Sequence, residues 1–394
     1  MNEPKRIRLL YLLPRYDADS PEHFYHLYDF LKKLQTRIPL EIIVERTSGA
    51  LPADVPMRPL RIRFPILRFA EEFFVFLAAR MRGVRDFYVH YSYTGAIAAS
   101  IVVRLCGGRV FYWNCSLYRE FPLPKNAAWG ERLRQAANLW LLETSVRWCT
   151  QLVTGTPRVA EYYVRHAGIP AKKIRLLPNF VEPERFRGVS RADARKKLGL
   201  DPNRKVVLFL HRVARRKGAH SLPEIASMVL PKTGPVTFLV AGGGPCLEEL
   251  RRIVEQQRLA GAFDFRGWVP NRDAPLYYRA ADLYLMPSEE EGFPRVLLEA
   301  MAADCPFLAF DIGGVRDIIS PEQEACVIPA GDKAALAAAC ADALRDPARL
   351  AAWAKAGARQ VERFSEERAL DAFVRMLDGR PLDWQSFLSG GDGK

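Results

Sequence analysis

Short apolar segments alternate along the chain with longer segments whose apolar positions recur every three or four residues. In the first half, the predicted strands are IRLLYLLP, LEIIVE, DFYVHYS, RVFYW and QLVTG, and the predicted helices are HFYHLYDFLKKL, FAEEFFVFLAARMR and TGAIAASIVVRLC. The second half repeats the pattern with KVVLFLHR, VTFLVAG, FDFRGWV, DLYLMPS, PFLAFDIGG and ACVIPAG as strands. This alternation predicts an α/β protein with mostly parallel sheets and helices on both faces.

The length of the chain predicts two domains. Its 394 residues are too many for one ordinary core. Pro178, Pro183 and the turn residues of PNFVEPERF interrupt the periodic pattern and mark a linker. Because ligands of doubly wound sheets bind at the carboxyl ends of the strands, we expect the site there, in the cleft between the two halves.

The apolar segments and the cysteines also indicate the cellular location of the protein. The opening IRLLYLLP is shorter than a secretory signal, and no apolar run approaches the roughly 20 residues of a membrane-spanning helix. The seven cysteines are scattered without a CxxC pair, which favours reduced, buried thiols. We therefore expect a cytoplasmic protein.

Positive charge is concentrated in the first half. Of the net +13, residues 1–180 contribute +12, from 27 Lys and Arg against 15 Asp and Glu. Such a field suits a polyanion, an anionic membrane surface or simply a solvated face. A nucleic-acid partner is disfavoured, because the chain has no RRM, helix-turn-helix or zinc pattern.

Carboxylates surround a turn after the predicted strand DLYLMPS, in the segment EEEGFPRVLLEAMA. Gly292 permits a tight turn and Pro294 suits a helix start, whose free N–H groups attract anions. Glu291 precedes the predicted helix RVLLEAMA, whereas Glu299 lies inside it among apolar neighbours. A buried carboxylate needs partners, so we interpret Glu291 and Glu299 as ligand-holding residues instead of surface charges.

Two further segments follow predicted strands. HRVARRKG places Arg212, Arg215, Arg216 and Lys217 after a strand end, where cations suit phosphate oxygens, although a solvated loop fits equally well. VAGGGPCLEEL places Gly242, Gly243 and Gly244 before a helix, which is weak evidence for phosphate binding because glycines also permit turns and close packing.

Together, HRVARRKG, VAGGGPCLEEL and EEEGFPRVLLEAMA resemble, in this order and spacing, the retaining glycosyltransferases of family 4. The separation of Glu291 and Glu299 matches the E-x7-E signature of that family. The resemblance covers nearly the whole chain and implies the GT-B fold, two Rossmann-like doubly wound domains that face each other across a cleft. The implied domains are residues 1–180, joined by a C-terminal helix at about 365–390, for the acceptor, and residues 181–364 for the nucleotide sugar.

The resemblance also implies roles for individual residues. Arg212 and Lys217 would hold the donor diphosphate together with backbone N–H groups near Phe293 and Pro294. Glu299 would bind the ribose, Glu291 the donor sugar, and His90 would lie beside the reaction centre. The base would lie near residues 267–270. The implied donor-contacting residues also include Gly292, Arg295, Gly243 and Val269.

The implied activity is transfer of a sugar from a UDP- or GDP-sugar to a glycan or lipid-linked acceptor in the synthesis of polysaccharide or glycolipid. No cofactor or metal is implied, and Asp17-Ala18-Asp19, which imitates an Asp-x-Asp metal motif, is better explained as a helix cap. A nucleotide-sugar epimerase on the same fold and a non-catalytic relative remain alternatives. The chain departs from the family at PRYDADSPEHFYH, where relatives carry Gly-Gly, and at YWNCS and Phe180, which leaves the acceptor side open.

Arginines and aromatic residues are dense between residues 58 and 85 and in WGERLRQAANLWLLETSVRW. Phe69, Phe73, Phe76, Leu77 and Met81 recur at helical spacing, which predicts a core face. The flanking arginines are Arg58, Arg61, Arg63 and Arg68, and the tryptophans of the second segment are Trp129, Trp140 and Trp148. The alternative is a patch that holds a peripheral enzyme at the inner face of the membrane.

Overall fold

The structure, a computed structural model, describes residues 8–17, 25–117 and 128–389. It separates the chain into two compact units. Unit 1 comprises Met1–Pro178 and Ala369–Lys394, and unit 2 comprises Asn179–Arg368.

Unit 1 alternates strands and helices. Its strands are β1 Leu9–Leu13, β2 Tyr16–Asp17, β3 Leu40–Val44, β4 Thr47–Ser48, β5 Met57–Pro59, β6 Asp86–His90, β7 Arg109–Trp113, β8 Gln151–Thr154 and β9 Ile174–Leu176. Its helices before residue 178 are α1 Tyr25–Arg37, α2 Pro65–Met81, α3 Tyr93–Cys106, α4 Trp129–Trp148 and α5 Pro157–Ala167.

A seven-stranded parallel sheet forms the centre of unit 1, in the order β5-β3-β1-β6-β7-β8-β9. Every residue of β1 and β6 is buried, as expected of strands covered by helices on both faces. The strand order reverses between β1 and β6, so the carboxyl ends of these two strands flank the switch point of the sheet.

Local sequence signals fix the helix ends. Thr156 caps α5 by accepting a hydrogen bond from the Val159 amide at 3.3 Å, and Pro157 occupies the first turn. Gly168 ends the same helix in the left-handed conformation, with φ of 65°.

Unit 2 repeats the architecture. Its strands are β10 Lys205–Leu210, β11 Val236–Ala241, β12 Phe263–Gly267, β13 Leu283–Met286, β14 Phe307–Phe310 and β15 Val327–Ile328. Its helices are α6 Glu184–Arg187, α7 Arg191–Leu198, α8 Leu222–Thr233, α9 Leu247–Gln256, α10 Ala274–Ala280, α11 Arg295–Ala302, α12 Val315–Ile318, α13 Lys333–Arg345 and α14 Pro347–Val361. The parallel sheet has the order β12-β11-β10-β13-β14-β15 and reverses between β10 and β13.

The predicted fold class is therefore confirmed. Helix α11 covers the segment RVLLEAMA that the sequence predicts, whereas α2 begins at Pro65, four residues before its predicted start. The segment after Pro178 is built into unit 2, where Val181 bridges to Ser365.

The chain returns to unit 1 at its carboxyl end. Helix α15, Glu366–Leu377, begins in unit 2 and continues into unit 1, and α16 spans Trp384–Ser389. In unit 1, Asp378 pairs with Arg8, and the ring of Phe373 lies 4.8 Å from that of Tyr88. The last segment is thus part of the core of unit 1.

Helix α2 has an unusual distribution of side chains. The prediction of a core face is correct for Phe76, which is buried, but wrong for Met81, which is 79% exposed. Arg68, one of the arginines of the alternative membrane patch, is buried with Glu72, and its Nε lies 3.6 Å from Oε1 of Glu72. Among the described residues, no helix is both long and apolar enough to cross a membrane.

Candidate functional site

The loops that follow β10 and β13 meet at the switch point of unit 2. Gly218 has φ of 71°, and a Cβ atom at this position would lie 1.7 Å from the carbonyl oxygen of Pro287. The amide of Glu289 donates to the carbonyl of Arg216 at 3.0 Å. Only glycine permits this approach, so the two loops form one surface at the carboxyl edge of the sheet.

A buried ion pair joins these loops. The Lys217 Nζ atom donates to Oε1 of Glu291 at 2.6 Å, and Ser288 Oγ donates to the same oxygen at 3.2 Å. Lys217 is 6% exposed and Glu291 is 8% exposed. The structure thus brings together two predicted site residues that are 74 positions apart.

His211 completes this cluster. Its Nδ1 accepts the Arg212 amide at 2.8 Å, which leaves the proton on Nε2, 3.3 Å from Oε1 of Glu291. The sequence places His211 only at a strand end, and neither it nor Ser288 is predicted in the site. Arg212 itself is exposed, beside this cluster.

The charges of the cluster determine its protonation. Burial alone would raise the pKa of Glu291, but Lys217 and His211 outweigh it and lower that pKa to about 2. Burial lowers the pKa of His211, although the hydrogen bond to Glu291 opposes that shift. At neutral pH a carboxylate therefore faces an ammonium and a neutral imidazole. A carboxylate of such low basicity is suited to holding hydroxyl groups and unsuited to removing a proton.

Glu299 is held by a separate set of partners. This buried carboxylate accepts from the Tyr278 hydroxyl at 3.2 Å, and Arg295 Nη2 lies 3.3 Å from its other oxygen. Burial raises the pKa of Tyr284, and the charges of Glu291 and Glu299 raise it further, which keeps this phenol protonated. The role of Tyr278 is not predicted from sequence, because it depends on how α10 packs beside α11.

The start of α11 follows a buried turn. Phe293 and Pro294 are buried, and the ring of Phe293 packs at 6.0 Å from that of Phe364. Gly292 accepts the amide of Gly314 at 3.0 Å, from the loop after β14. Gly313, with φ of 47°, passes so close that a Cβ would lie 1.5 Å from the Glu291 carbonyl oxygen. The backbone that positions Glu291 is therefore clamped by a second loop.

The glycine segment after β11 is largely explained by packing. A Cβ on Gly242 would lie 1.9 Å from the carbonyl oxygen of His211, and one on Gly244 would lie 2.3 Å from that of Val213. Gly243 differs, because its Cβ would make only an ordinary contact, 3.6 Å from Cβ of Trp268. Gly243 therefore lies beside the segment that contains Val269, which is half-buried, and Trp268, which is half-exposed.

In unit 1, His90 ends β6 at the switch point of that sheet. Its ring stacks on Trp113 at 4.5 Å and 7°, and its Nδ1 lies 3.2 Å from the hydroxyl of Tyr11. Burial lowers the pKa of His90 to about 3. Its placement beside a reaction centre stays a prediction.

No group of three or more His, Cys, Asp or Glu side chains is arranged to hold a metal ion within the residues that the structure describes. In the Asp-x-Asp sequence, Asp17 pairs with Arg15 at 2.7 Å, and Asp19 lies outside the described residues.

Two protein families match the chain in succession. The family described as Glycosyltransferase Family 4 matches residues 24–185, and that described as Glycosyl transferases group 1 matches residues 190–360.

Curated relatives carry transferase names. The 2-deoxystreptamine N-acetyl-D-glucosaminyltransferase of Streptomyces fradiae is 31% identical over 260 residues, 64% of this chain and 60% of the relative. The D-inositol 3-phosphate glycosyltransferase of Segniliparus rotundus is 30% identical over 228 residues, 57% of this chain and 51% of the relative. The matched part of the chain therefore spans 51–60% of the length of these relatives.

Solved structures share the fold. Sucrose-phosphate synthase from Thermosynechococcus elongatus has a TM-score of 0.78 at 20% identity, over 95% of this chain and 99% of that chain. HepE from Anabaena, solved in complex with UDP, has a TM-score of 0.74 at 18% identity, over 95% of this chain and 100% of that chain.

Proposed function

The chain belongs to the glycosyltransferases of family 4 and has their GT-B fold, and on that basis we propose that it transfers a sugar, with retention, from a nucleotide-diphosphate sugar to a glycan or lipid-linked acceptor. The observation that carries this proposal is the buried Lys217–Glu291 pair at the switch point of unit 2. A cation and an ionised carboxylate at this edge match a donor that carries both phosphates and hydroxyl groups.

Each part of the donor has a partner of suitable chemistry. Arg212 and Lys217, with the start of α11, would hold the diphosphate. Glu291 would accept hydrogen bonds from the donor sugar and Glu299 from the ribose, while the base would lie beside Gly243 and residues 267–270. Lys217 then neutralises Glu291 before the donor binds and adds its charge to the diphosphate site afterwards.

The reaction develops positive charge on the sugar and negative charge on the leaving diphosphate. Arg212 and Lys217 stabilise the leaving group, and the carboxylate of Glu291 favours the cationic sugar. Because the pKa of Glu291 is about 2, this residue is a poor base. We therefore assign deprotonation of the acceptor to the departing phosphate on the same face of the sugar. His90, neutral and buried, would contribute contacts without taking up a proton.

A thermal-shift screen against UDP-, GDP-, ADP- and TDP-sugars tests the donor site. We expect a UDP- or GDP-sugar to raise the melting temperature, followed by slow hydrolysis of that donor. UDP is the nucleotide bound in the solved HepE structure, and a GDP-mannose-dependent mannosyltransferase from Mycobacterium tuberculosis is 30% identical over 201 residues. Absence of stabilisation by every nucleotide sugar would overturn the proposal. Conversion of the donor to an epimer would indicate the epimerase, and binding without turnover would indicate a non-catalytic relative.

The roles of the two carboxylates are separable. Glu299→Ala should weaken binding of the free nucleoside diphosphate, because it removes the proposed ribose contact. Glu291→Ala should leave that binding within a few-fold and abolish transfer, because it removes the proposed sugar contact. Calorimetric titration of the nucleotide and a transfer assay measure the two effects. Equal losses of nucleotide affinity would refute the division.

The acceptor side is proposed to meet an anionic membrane at the cytoplasmic face. Phe64, just before α2, is exposed, as are Ile66, Leu67 and Phe74 on α2 and Trp129 and Trp140 on α4. Exposed apolar side chains among arginines suit anionic lipid headgroups over acyl chains. Sedimentation with phosphatidylglycerol vesicles at low salt tests the idea. Replacing Phe74 by Ser should reduce binding, and failure of the unaltered protein to sediment would refute the membrane contact.

A further inference from the structure

A second basic site lies at the amino edge of the sheet of unit 1. It is a cavity of about 770 Å³ where β1, β6 and β7 begin and where α2 and α3 end. The lining consists of Arg8, Arg80, Arg85, Arg109, Asp86 and the glycines Gly83, Gly107 and Gly108. Donor and acceptor sites of doubly wound sheets form at the opposite, carboxyl edge, so the proposed transferase does not use this cavity.

Some N–H groups of these arginines already form hydrogen bonds or ion pairs within the protein. Arg109 makes two hydrogen bonds of 2.8 Å to the Asp86 carboxylate and a third to the Leu377 carbonyl. Arg8 pairs with Asp378. Within the described residues, Arg80 forms its side-chain hydrogen bonds through Nε, which donates to the carbonyls of Cys106 and Gly107 at the end of α3.

Other arginine N–H groups of the lining have no such partner among the described residues. Within the described part of the chain, no carboxylate pairs with Arg80 or Arg85. The described lining holds four arginines and one carboxylate, Asp86, while Asp378 outside the lining is shared between Arg8 and Arg380, so positive charge is in excess there. Gathering like charges in a concavity opposes folding unless an anion neutralises them. The terminal nitrogens of Arg80 and the whole guanidinium of Arg85 are therefore available to phosphate oxygens.

The glycines at the floor of the cavity leave room for a ligand. Gly107 and Gly108 have φ of 76° and 125°, and a Cβ on Gly108 would lie 2.7 Å from the Arg85 carbonyl oxygen. The floor therefore lacks side chains that would fill the space. Met81, which follows Arg80 in the chain, and Leu105, two residues before Gly107, are 79% and 71% exposed.

We infer that this arginine cavity binds a phosphate group, carried either by a soluble phosphorylated molecule or by an anionic lipid headgroup. The arginines suit the tetrahedral anion, and the volume exceeds what one phosphate fills.

The test uses the full-length protein. Calorimetry measures binding of pyrophosphate, and sedimentation compares binding to phosphatidylglycerol vesicles with binding to phosphatidylcholine vesicles. The variant is Arg85→Gln, since the Arg85 side chain makes no hydrogen bond, ion pair or cation–π contact within the described residues. The matched control is Arg165→Gln, which removes the same charge from an exposed position on α5. A third variant, Arg212→Ala, identifies binding of pyrophosphate at the donor site.

We expect Arg85→Gln to weaken binding by about tenfold, as for loss of one charge-assisted contact, while Arg165→Gln has little effect. An effect on pyrophosphate indicates a soluble ligand, and an effect confined to anionic vesicles indicates a headgroup. Binding that depends on Arg212 and not on Arg85, or that falls equally in both glutamine variants, overturns the inference. Stabilisation by nucleotide sugars should be unchanged in Arg85→Gln, so the donor proposal stands or falls separately.

Discussion

Removing Lys217 should turn Glu291 from a stabilising residue into a destabilising one. In the intact pair, the pKa of Glu291 falls from 4.5 to about 2, a difference that corresponds to about 3 kcal/mol of unfolding free energy. A carboxyl with a lowered pKa stabilises the folded state fully above its unfolded pKa. That contribution is lost as the pH falls from about 4.5 to about 2.

In Lys217→Met the sign reverses. Burial is then opposed by His211 without Lys217, so we expect the pKa of Glu291 to rise, and at neutral pH the buried carboxylate lacks its main partner. We expect unit 2 to lose about 3 to 5 kcal/mol at pH 7, the usual effect of breaking a buried pair. Lowering the pH from 7 to 5 should then recover part of that loss, because protonation removes the buried charge.

Urea unfolding at pH 7 and pH 5, followed by circular dichroism, measures both effects. The double variant Lys217→Met, Glu291→Gln should regain most of the stability, since neither charge remains. Lys205→Met is the control, because Lys205 lies 3.9 Å from Asp282 with its side chain 40% exposed, and it should change stability by less than about 1 kcal/mol. If the double variant were no more stable than Lys217→Met, the electrostatic explanation would be refuted.

Three further predictions follow from individual contacts. Tyr278→Phe should weaken nucleotide binding severalfold in calorimetry, since Glu299 loses the hydroxyl that orients it at 3.2 Å; unchanged affinity would contradict that role. Gly313→Ala should destabilise unit 2 by several kcal/mol in urea unfolding, because its φ is 47° and its Cβ would meet the Glu291 carbonyl at 1.5 Å, whereas Gly261→Ala, in open space, should not. His90→Phe should reduce the loss of unit 1 stability between about pH 6.5 and pH 3. Burial lowers the pKa of His90 to about 3, so the unfolded chain takes up the proton at a higher pH than the folded chain does. An unaltered pH dependence of stability would show that protonation of this imidazole does not cause the loss.

Periodicity and turn residues predict the fold class and the limits of α11, because both depend on neighbours along the chain. The pairing of Lys217 with Glu291 is different, since it exists only when β10 and β13 are adjacent in the sheet. Tyr278 and Gly313 enter the site in the same way, through packing between elements distant in sequence. Their identity is visible in the sequence, but their partners are set by strand order.

Helix α2 shows a structural property that sequence periodicity does not determine, namely which side of the helix is buried. Its apolar spacing predicts a buried face, yet Met81 is exposed while Arg68 and Glu72 are buried. Burial of Glu72, and then the charge of Glu45, raise the pKa of Glu72 to about 8. Periodicity identifies a row of apolar residues along the helix without specifying which side packs against the sheet. The polar partners of Glu72, Glu45 and Thr94, come from other parts of the chain.

The discontinuity of unit 1 has a consequence for how the protein is made. Phe373 is part of its core, but this residue emerges from the ribosome only after the whole of Asn179–Arg368 has been translated. At about 5 to 20 residues per second, that interval lasts roughly 10 to 40 s. During this time the first sheet lacks its final helix, whereas unit 2 is contiguous and can fold as it emerges. The earlier-synthesised half is thus the later one to finish, and it is the half that nascent-chain chaperones would protect.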